Sequence, residues 1–259
     1  MFNLTGKVAL AVGGAGYLMR PACRGLTEQG AHVIVADINA EKIETALAEI
    51  RAAVPGAGVS GAVVNACDEA AVRQAVDDAV AQYGSLHISV CATWSYLGSR
   101  TVEEITAKEF YDTVGENVTG ALNVARESAR VMAEGGSIIL FASMYGQVAP
   151  DPRAYVLPMK PNPIEYGVAK AGIIQMAKYL AASWGPRNIR VNAIAPGPFP
   201  FPKTQEDEPE FTARLAAKTM LGRVGRQDEI AGAVVYLASD EASYVTGETI
   251  AVNGGWTAW

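Results

Sequence analysis

The chain of 259 residues carries 21 basic and 27 acidic side chains, a net charge of -6, and is 50% hydrophobic and 19% charged. It has no low-complexity tract, no repeat of fixed period and no dense Lys/Arg stripe, which fits an ordinary globular protein and excludes a nucleic-acid partner from the expectations. Cys23, Cys67 and Cys91 fit neither a disulfide framework nor a zinc site, no leader pattern opens the chain, and no apolar run reaches the roughly 18 residues of a membrane span, so a cytoplasmic protein with reduced, buried cysteines, no bound metal and no membrane association is expected.

Short apolar runs rich in β-branched residues alternate with longer amphipathic stretches. Strands are expected over residues 7–12, 32–37, 59–64, 88–92, 137–142, 190–194 and 249–252, and helices over 18–29, 40–53, 69–83, 107–133, 163–184 and 227–238. Strands without polar alternation are buried on both faces, as in a parallel sheet between two helix layers. The expected fold is therefore α/β: a doubly wound parallel sheet of the Rossmann type, about seven strands with helices on both faces, forming a single domain over 1–259.

The first strand runs into Val12-Gly-Gly-Ala-Gly16-Tyr-Leu-Met19-Arg20, a glycine-rich turn that opens a helix. Glycines there let backbone amides and the helix N-terminus approach a pyrophosphate that side chains would keep away. A glycine turn joining strand to helix is common, so the signal gains weight only from the second strand, which ends in Asp37. A carboxylate at that position accepts hydrogen bonds from an adenosine ribose and repels a 2′-phosphate, favouring NAD over NADP. The alternative for Asp37-Ile-Asn39 is a helix-start signal, and Asp68 caps the helix beginning at Glu69 by default or lies beside an adenine, two roles that are compatible. His32 and His87, at strand starts without partner motifs, read as structural.

In the helix expected over 163–184, Tyr166 and Lys170 lie one turn apart and share a face. An isolated tyrosine, with a pKa of about 10, exchanges protons poorly at neutral pH, and a neighbouring ammonium is expected to lower that value. The same spacing also suits two residues decorating a helix surface.

Together with Asn117-Val-Thr-Gly120, Ser143, Asn188-Ile-Arg-Val-Asn-Ala-Ile-Ala-Pro-Gly197, Leu221-Gly-Arg-Val-Gly225 and the tail through Val252-Asn-Gly-Gly255, the pair Tyr166 and Lys170 makes the whole chain resemble the short-chain dehydrogenase/reductase family, in its single-domain branch. The resemblance implies a catalytic set. Tyr166 would be the acid/base, Lys170 would lower its pKa and hold the nicotinamide ribose, Ser143 would bond the substrate oxygen, and Asn117 would hold a water through its helix backbone. It further implies cofactor contacts from Gly13, Gly16, Tyr17 and Leu18 in the turn, from Asp37, Ile38, Asp68 and Ala92 at the strand ends, from Tyr166 and Lys170, and from Pro196, Gly197 and Phe199 in the loop after the sixth strand.

The chain departs from the family pattern at several places. Val12 stands where a threonine is usual, Gly16 falls one position early, and Met19 replaces the last glycine of the turn, placing a side chain where helix, strand and pyrophosphate come together. Cys91-Ala-Thr-Trp94 replaces Asn-Asn-Ala-Gly after the fourth strand. Ser143 and Tyr166 are separated by a longer, proline-rich segment than the family commonly has, and residues 144–163 read either as a wall of the substrate pocket or as a surface insertion.

Trp94, Tyr96, Tyr145, Tyr155 and Phe201 are candidate pocket aromatics, each also suited to core or interface filling. Residues 198–220, a loop followed by a helix-like stretch over 210–219, read as a lid. The expected function is an NAD(H)-dependent oxidoreductase acting on a secondary alcohol or ketone, such as a sugar, sugar acid or other small hydroxylated compound. The alternatives are a catalytically silent NAD-binding or scaffold protein of the same fold, and an epimerase working by transient oxidation. Apolar faces on the helices over 107–133 and 163–184, which pair across a two-fold axis in relatives, lead to an expected homotetramer.

Overall fold

The computed structural model describes residues 1–95, 101–157 and 159–259. Seven strands, β1 (Val8–Val12), β2 (His32–Asp37), β3 (Val59–Val63), β4 (Ile88–Cys91), β5 (Gly136–Phe141), β6 (Ile189–Pro196) and β7 (Thr249–Val252), form one sheet in the order β3-β2-β1-β4-β5-β6-β7. Every pairing is parallel. The chain order reverses between β1 and β4, which leaves a crevice beyond the carboxyl ends of those two strands.

The period-2 alternation of strand side chains divides the core into two layers. Ala9, Ala11, Val33, Val35, Ile88, Val90, Ile139 and Ile194 face helices α1 (Met19–Glu28), α2 (Ala40–Ala53) and α8 (Ala231–Ala238). Val8, Leu10, Ile34, Ala36, Ile138, Leu140, Val191 and Ala193 face α3 (Glu69–Tyr83), α4 (Ala107–Val131) and α5 (Ile164–Trp184). Strands buried on both faces are consistent with their unbroken apolar composition.

Helix starts follow local capping chemistry. Asn39 accepts from the Lys42 amide to cap α2, and Asp68 accepts from Ala70 and Ala71 to cap α3. Thr106 and Glu109 form a reciprocal capping box at the start of α4. The helix expected over 227–238 divides into a 3₁₀ turn, Gln227–Ile230, and α8. The segment expected to be a loop before residue 210 contains a helix, α6 (Pro202–Asp207), directly followed by α7 (Pro209–Ala217). Prolines at the first helical positions, pre-set to helical φ, start both. Cys23 and Cys91 are buried as expected, whereas Cys67 is exposed; all three are free thiols. His32 lies against Tyr83, ring centroids 4.0 Å apart, and His87 Nδ1 accepts from the Val8 amide at 3.0 Å. None of the helices among the described residues is long and apolar enough to cross a membrane.

The α3–α4 contact is fixed electrostatically. Glu127, with a side chain only 2% exposed, lies 3.0 Å from Arg73 Nε and 2.9 Å from Arg130 Nε, and these guanidiniums hold its carboxyl below the usual carboxylate range. Because the arginines are about half exposed, Glu127→Gln is expected to destabilise the fold by about 1–2 kcal/mol at pH 7. A carboxyl with a depressed folded pKa contributes stability above the ordinary carboxylate pKa and loses it as pH falls through the folded value. Denaturant titrations of both proteins should therefore converge in acid; a gap that persists at low pH would contradict this origin.

Candidate active site

Two adjoining hollows open at the carboxyl edge of the sheet. One, about 480 Å³, is lined by Gly13, Gly16, Asp37, Ile38, Lys42, Asn65, Ala66, Cys67, Ala92 and Asn117. The other, about 270 Å³, is lined by Tyr17, Leu18, Ser143, Asn162, Tyr166, Lys170, Pro196, Gly197, Phe199 and Phe201. Gly13, Gly16, Ala92 and Trp94 line both, so the hollows are two lobes of one cleft at the β1/β4 crevice.

The turn after β1 is a cradle that side chains would fill. Gly13 has φ +78°, and a Cβ on it would lie 2.8 Å from Ala92 O; a Cβ on Gly14 would lie 2.6 Å from Ala11 O. Gly14, absent from the expected contacts, is thus as constrained as Gly13, while a Cβ on Gly16 would approach only Gly13 O, at 3.0 Å. Leu18 caps α1 without a side-chain hydrogen bond, and among the described residues the Tyr17 and Leu18 amides have no backbone acceptor. Such amides at a helix start suit an anion such as a pyrophosphate. Met19 lines the catalytic lobe beside the cradle, but it is only 2% exposed and packs in the core layer of α1, α2 and α8.

At one end of the cleft Asp37 Oδ1 accepts from the Asn39 amide at 3.2 Å, and Ile38 is 69% exposed beside it. Asp68 does not line this lobe. Its Oδ1 takes the Ala70 and Ala71 amides, so of the two roles the sequence left open its position is that of the helix cap.

At the other end, Lys170 is 3% exposed and its Nζ donates to Phe141 O at 2.9 Å. Burial pushes its pKa down to about 8. Nζ lies 5.7 Å from the centre of the Tyr166 ring. Burial raises the Tyr166 pKa, and the nearby Ser143 hydroxyl moderates the rise. The net direction is thus opposite to the lowering expected from Lys170, because desolvation of the buried phenolate dominates. Ser143 is 6% exposed, and its Oγ also accepts from the Tyr145 amide at 3.1 Å.

Asn117 serves the adjoining loop through its side chain. Its Oδ1 accepts from the Ser95 amide at 3.2 Å, and its Nδ2 donates to Ser95 O at 3.1 Å and to Thr113 O at 2.8 Å. This paired bond continues a strand-like contact past β4, where the usual asparagines are missing. Trp94 stands beside it, edge-on to Tyr166 with ring centroids 5.8 Å apart.

The candidate pocket aromatics divide. Trp94 and Phe201 line the cleft, Phe201 packing on Tyr17 at 4.7 Å. Tyr145 and Tyr155 do not: their hydroxyls bond each other, and their rings pack on Trp256 and Phe211 in a small separate core with Met144, Ala154 and Leu215. Tyr96 lies outside the described residues. Of the segment 144–163, Asn162 alone among the described residues lines the catalytic lobe; the sequence offered one sign of it, an amide set between two prolines just ahead of Tyr166. The segment is braced against α7 instead. Arg214 Nε donates to Ala154 O at 3.0 Å, and Lys218 and Arg153 pair with Asp151, holding its carboxyl far below the ordinary range.

The sequence profile of the family described as Enoyl-(Acyl carrier protein) reductase matches residues 20–257. The chain is 30% identical to D-arabinitol 2-dehydrogenase [ribulose-forming] of Candida tropicalis, over 100% of this chain and 95% of the relative. It is 32% identical to the 3-oxoacyl-[acyl-carrier-protein] reductase FabG of Thermotoga maritima, over 98% of each. A crystal structure of a gluconate 5-dehydrogenase from Burkholderia cenocepacia in complex with NADP and tartrate superposes with a TM-score of 0.86 at 29% identity, covering 100% of this chain and 98% of that one. The chain belongs to the short-chain dehydrogenase/reductase family, whose members here are oxidoreductases of alcohols and ketones that use NAD or NADP.

The buried ammonium of Lys170 carries a testable cost. A lysine whose folded pKa is about 8 penalises folding while protonated, and the penalty is relieved as pH rises from that value toward its ordinary pKa of about 10.4. Lys170→Met is expected to raise stability at pH 7 by about 1–3 kcal/mol, the lost bond to Phe141 O offsetting part of the gain, with the difference shrinking by pH 10. Thermal or urea unfolding across this range checks it, and a methionine variant less stable than wild type at neutral pH would be the contrary result.

Proposed function

We propose that the protein interconverts a secondary alcohol and its ketone, on a small hydroxylated compound, with NAD(H) as cofactor. The observation that carries this reading is the convergence of the Tyr166 phenol, the Ser143 hydroxyl and the Lys170 ammonium in one lobe of a cleft whose other lobe ends at Asp37. The glycine cradle and the free amides of Tyr17 and Leu18 fit a pyrophosphate, Asp37 and Ile38 would flank the adenosine, and Pro196, Gly197 and Phe199 would border the nicotinamide. Bound there, a nicotinamide dinucleotide supplies or accepts the hydride.

The chain's own residues would manage the proton. In reduction Tyr166 Oη gives its proton to the substrate oxygen; in oxidation the phenolate takes it back. Ser143 Oγ would donate to that oxygen and fix its position. Lys170 would stabilise the phenolate, which matters because burial makes it expensive here. A phenol displaced upward and a lysine brought down to about 8 share a low-polarity setting in which each charge favours the other. Asn117 would act through Ser95, keeping the loop that carries Trp94 in place.

Asp37 supports NAD over NADP because its carboxylate would face a 2′-phosphate, although Lys42 lines the same lobe. Within residues 198–220 the proposed lid narrows to the stretch ahead of α7. No residue of α6 is buried, whereas Phe211 and Leu215 anchor α7. A homotetramer is proposed through the outer faces of α4 and α5, where Tyr111, Val168 and Tyr179 are exposed; a monomeric mass by light scattering at micromolar concentration would rule it out. A cytoplasmic setting is proposed on the strength of the free thiols.

Two measurements test the core of the proposal. Tyr166→Phe should lower kcat by about 10²–10⁴-fold while NADH still binds, and turnover near the wild-type rate would defeat the mechanism. In fluorescence titrations NADH should bind at least about tenfold more tightly than NADPH, with Asp37→Ser narrowing the ratio; equal affinities in the wild type would count against the role given to Asp37.

A further inference from the structure

Trp94 is the largest side chain common to the two lobes of the cleft, and it is held from two sides. The backbone of the next residue, Ser95, is gripped at both its amide and its carbonyl by the Asn117 side chain, itself on a residue 2% exposed. The indole stands at 80° to the Tyr166 ring, and more than half of its surface remains open. Phe201, tilted at 48° against Tyr17, lines the same catalytic lobe. That lobe is thus furnished with flat apolar surfaces and a few hydroxyl-compatible groups, those of Ser143, Asn162 and Tyr166. Lys170 is the single cation lining it among the described residues, and its Nζ is engaged by Phe141 O. Outside, the proposed lid and the start of α7 carry Glu206, Asp207, Glu208 and Glu210 against Lys203, a field that disfavours an anionic substrate. At about 270 Å³ the lobe lies near the small end of ligand pockets, about 300–1,000 Å³.

Resting on the oxidoreductase reading above, we infer that Trp94 is a specificity-determining residue which selects an uncharged, ring-closed polyol, or the corresponding ketone, over an open-chain one. The face of an indole matches the C–H face of a saturated ring, where several aliphatic hydrogens lie in one plane and the hydroxyls point outward to polar groups. An open chain of the same carbon count presents no such plane and must give up several torsional freedoms to lie along the wall, whereas a ring has already surrendered them. An acidic sugar fits poorly with the charge around the mouth.

The test is steady-state kinetics with NAD⁺ on two cyclic substrates, myo-inositol and D-glucose, and two open-chain ones, D-arabinitol and D-gluconate, using the wild type, Trp94→Ala, Trp94→Phe and Tyr166→Phe. The wild type should favour at least one cyclic substrate over both open-chain ones in kcat/KM. Trp94→Ala should raise KM for that substrate about tenfold with kcat little changed and the open-chain values nearly constant, and Trp94→Phe, which keeps a flat face, should recover most of the loss. A wild type that prefers an open-chain substrate, or that binds NADH but turns over none of the four, overturns the inference. So does an alanine variant that weakens both classes alike, or, should that variant fail to fold, a phenylalanine variant whose KM values match no class preference. Failure of the underlying reading looks different: Tyr166→Phe would keep wild-type turnover whatever Trp94 does.

Discussion

A buried ammonium determines where the candidate catalytic groups meet. Lys170 Nζ donates to the carbonyl of Phe141, the last residue of β5, and so pins α5 to the end of the central strands. Ser143 follows that carbonyl by two residues, and Tyr166 precedes Lys170 by one helical turn, so one bond between helix and strand brings the hydroxyl and the phenol together. The close approach is helped by Gly146, where a Cβ would come within 2.7 Å of the Lys170 backbone. Burial makes the ammonium costly, and its lowered pKa expresses that cost. A charge kept in such a place is poor for stability and useful for stabilising a second charge that appears only during reaction, which is the bargain expected of a functional site.

The opposite end of the cleft is set by backbone approach rather than by charge. β1 and β4 are neighbours in the sheet yet carry connections to opposite sides, and the turn leaving β1 passes so near Ala92 that only glycine fits at position 13. The later positions of the turn tolerate the unusual residues. Met19 packs its flexible thioether in the core layer of α1, α2 and α8, and Gly16 sits a residue early, where a Cβ would meet only Gly13 O, at a tight 3.0 Å. Past the fourth strand, Asn117 reaches across from α4 and bonds both the amide and the carbonyl of Ser95.

Much of this was legible in the sequence because the relevant signals are local. Seven apolar runs, the caps at Asn39, Asp68 and Thr106, and the one-turn spacing of Tyr166 and Lys170 depend on near neighbours, and the strands and most helices fall where those signals place them. What escaped depends on contacts between distant segments. The direction of the Tyr166 pKa reverses because desolvation is a property of the assembled site and leaves no trace in the spacing of two residues. The helix α6 falls in a stretch expected to be loop, and it is started by a proline at its first position, where the ring pre-sets the helical φ. Tyr145 and Tyr155, candidates for the cleft, lie instead in a small core that packs against Tyr166 and that Phe211 of α7 helps to close.

That last contact changes how the substrate end of the cleft works. The insertion before Tyr166 and the helix α7 share one small core, a bond from Arg214 to Ala154 O, and the charges of Asp151, Arg153 and Lys218. Two segments joined that way move together or not at all, so a closure confined to α6 needs no rearrangement of the insertion. A hinge for the proposed lid would fall between the Phe201 contact with Tyr17 and the buried Phe211 and Leu215 of α7. Rigid support behind Tyr166 and Asn162 with a lightly attached helix in front is an arrangement that keeps the proton-transfer groups in register while the mouth opens. On the proposed reading, precision of the site and access to it belong to different pieces of chain, and the long segment between Ser143 and Tyr166 still leaves both side chains lining one lobe.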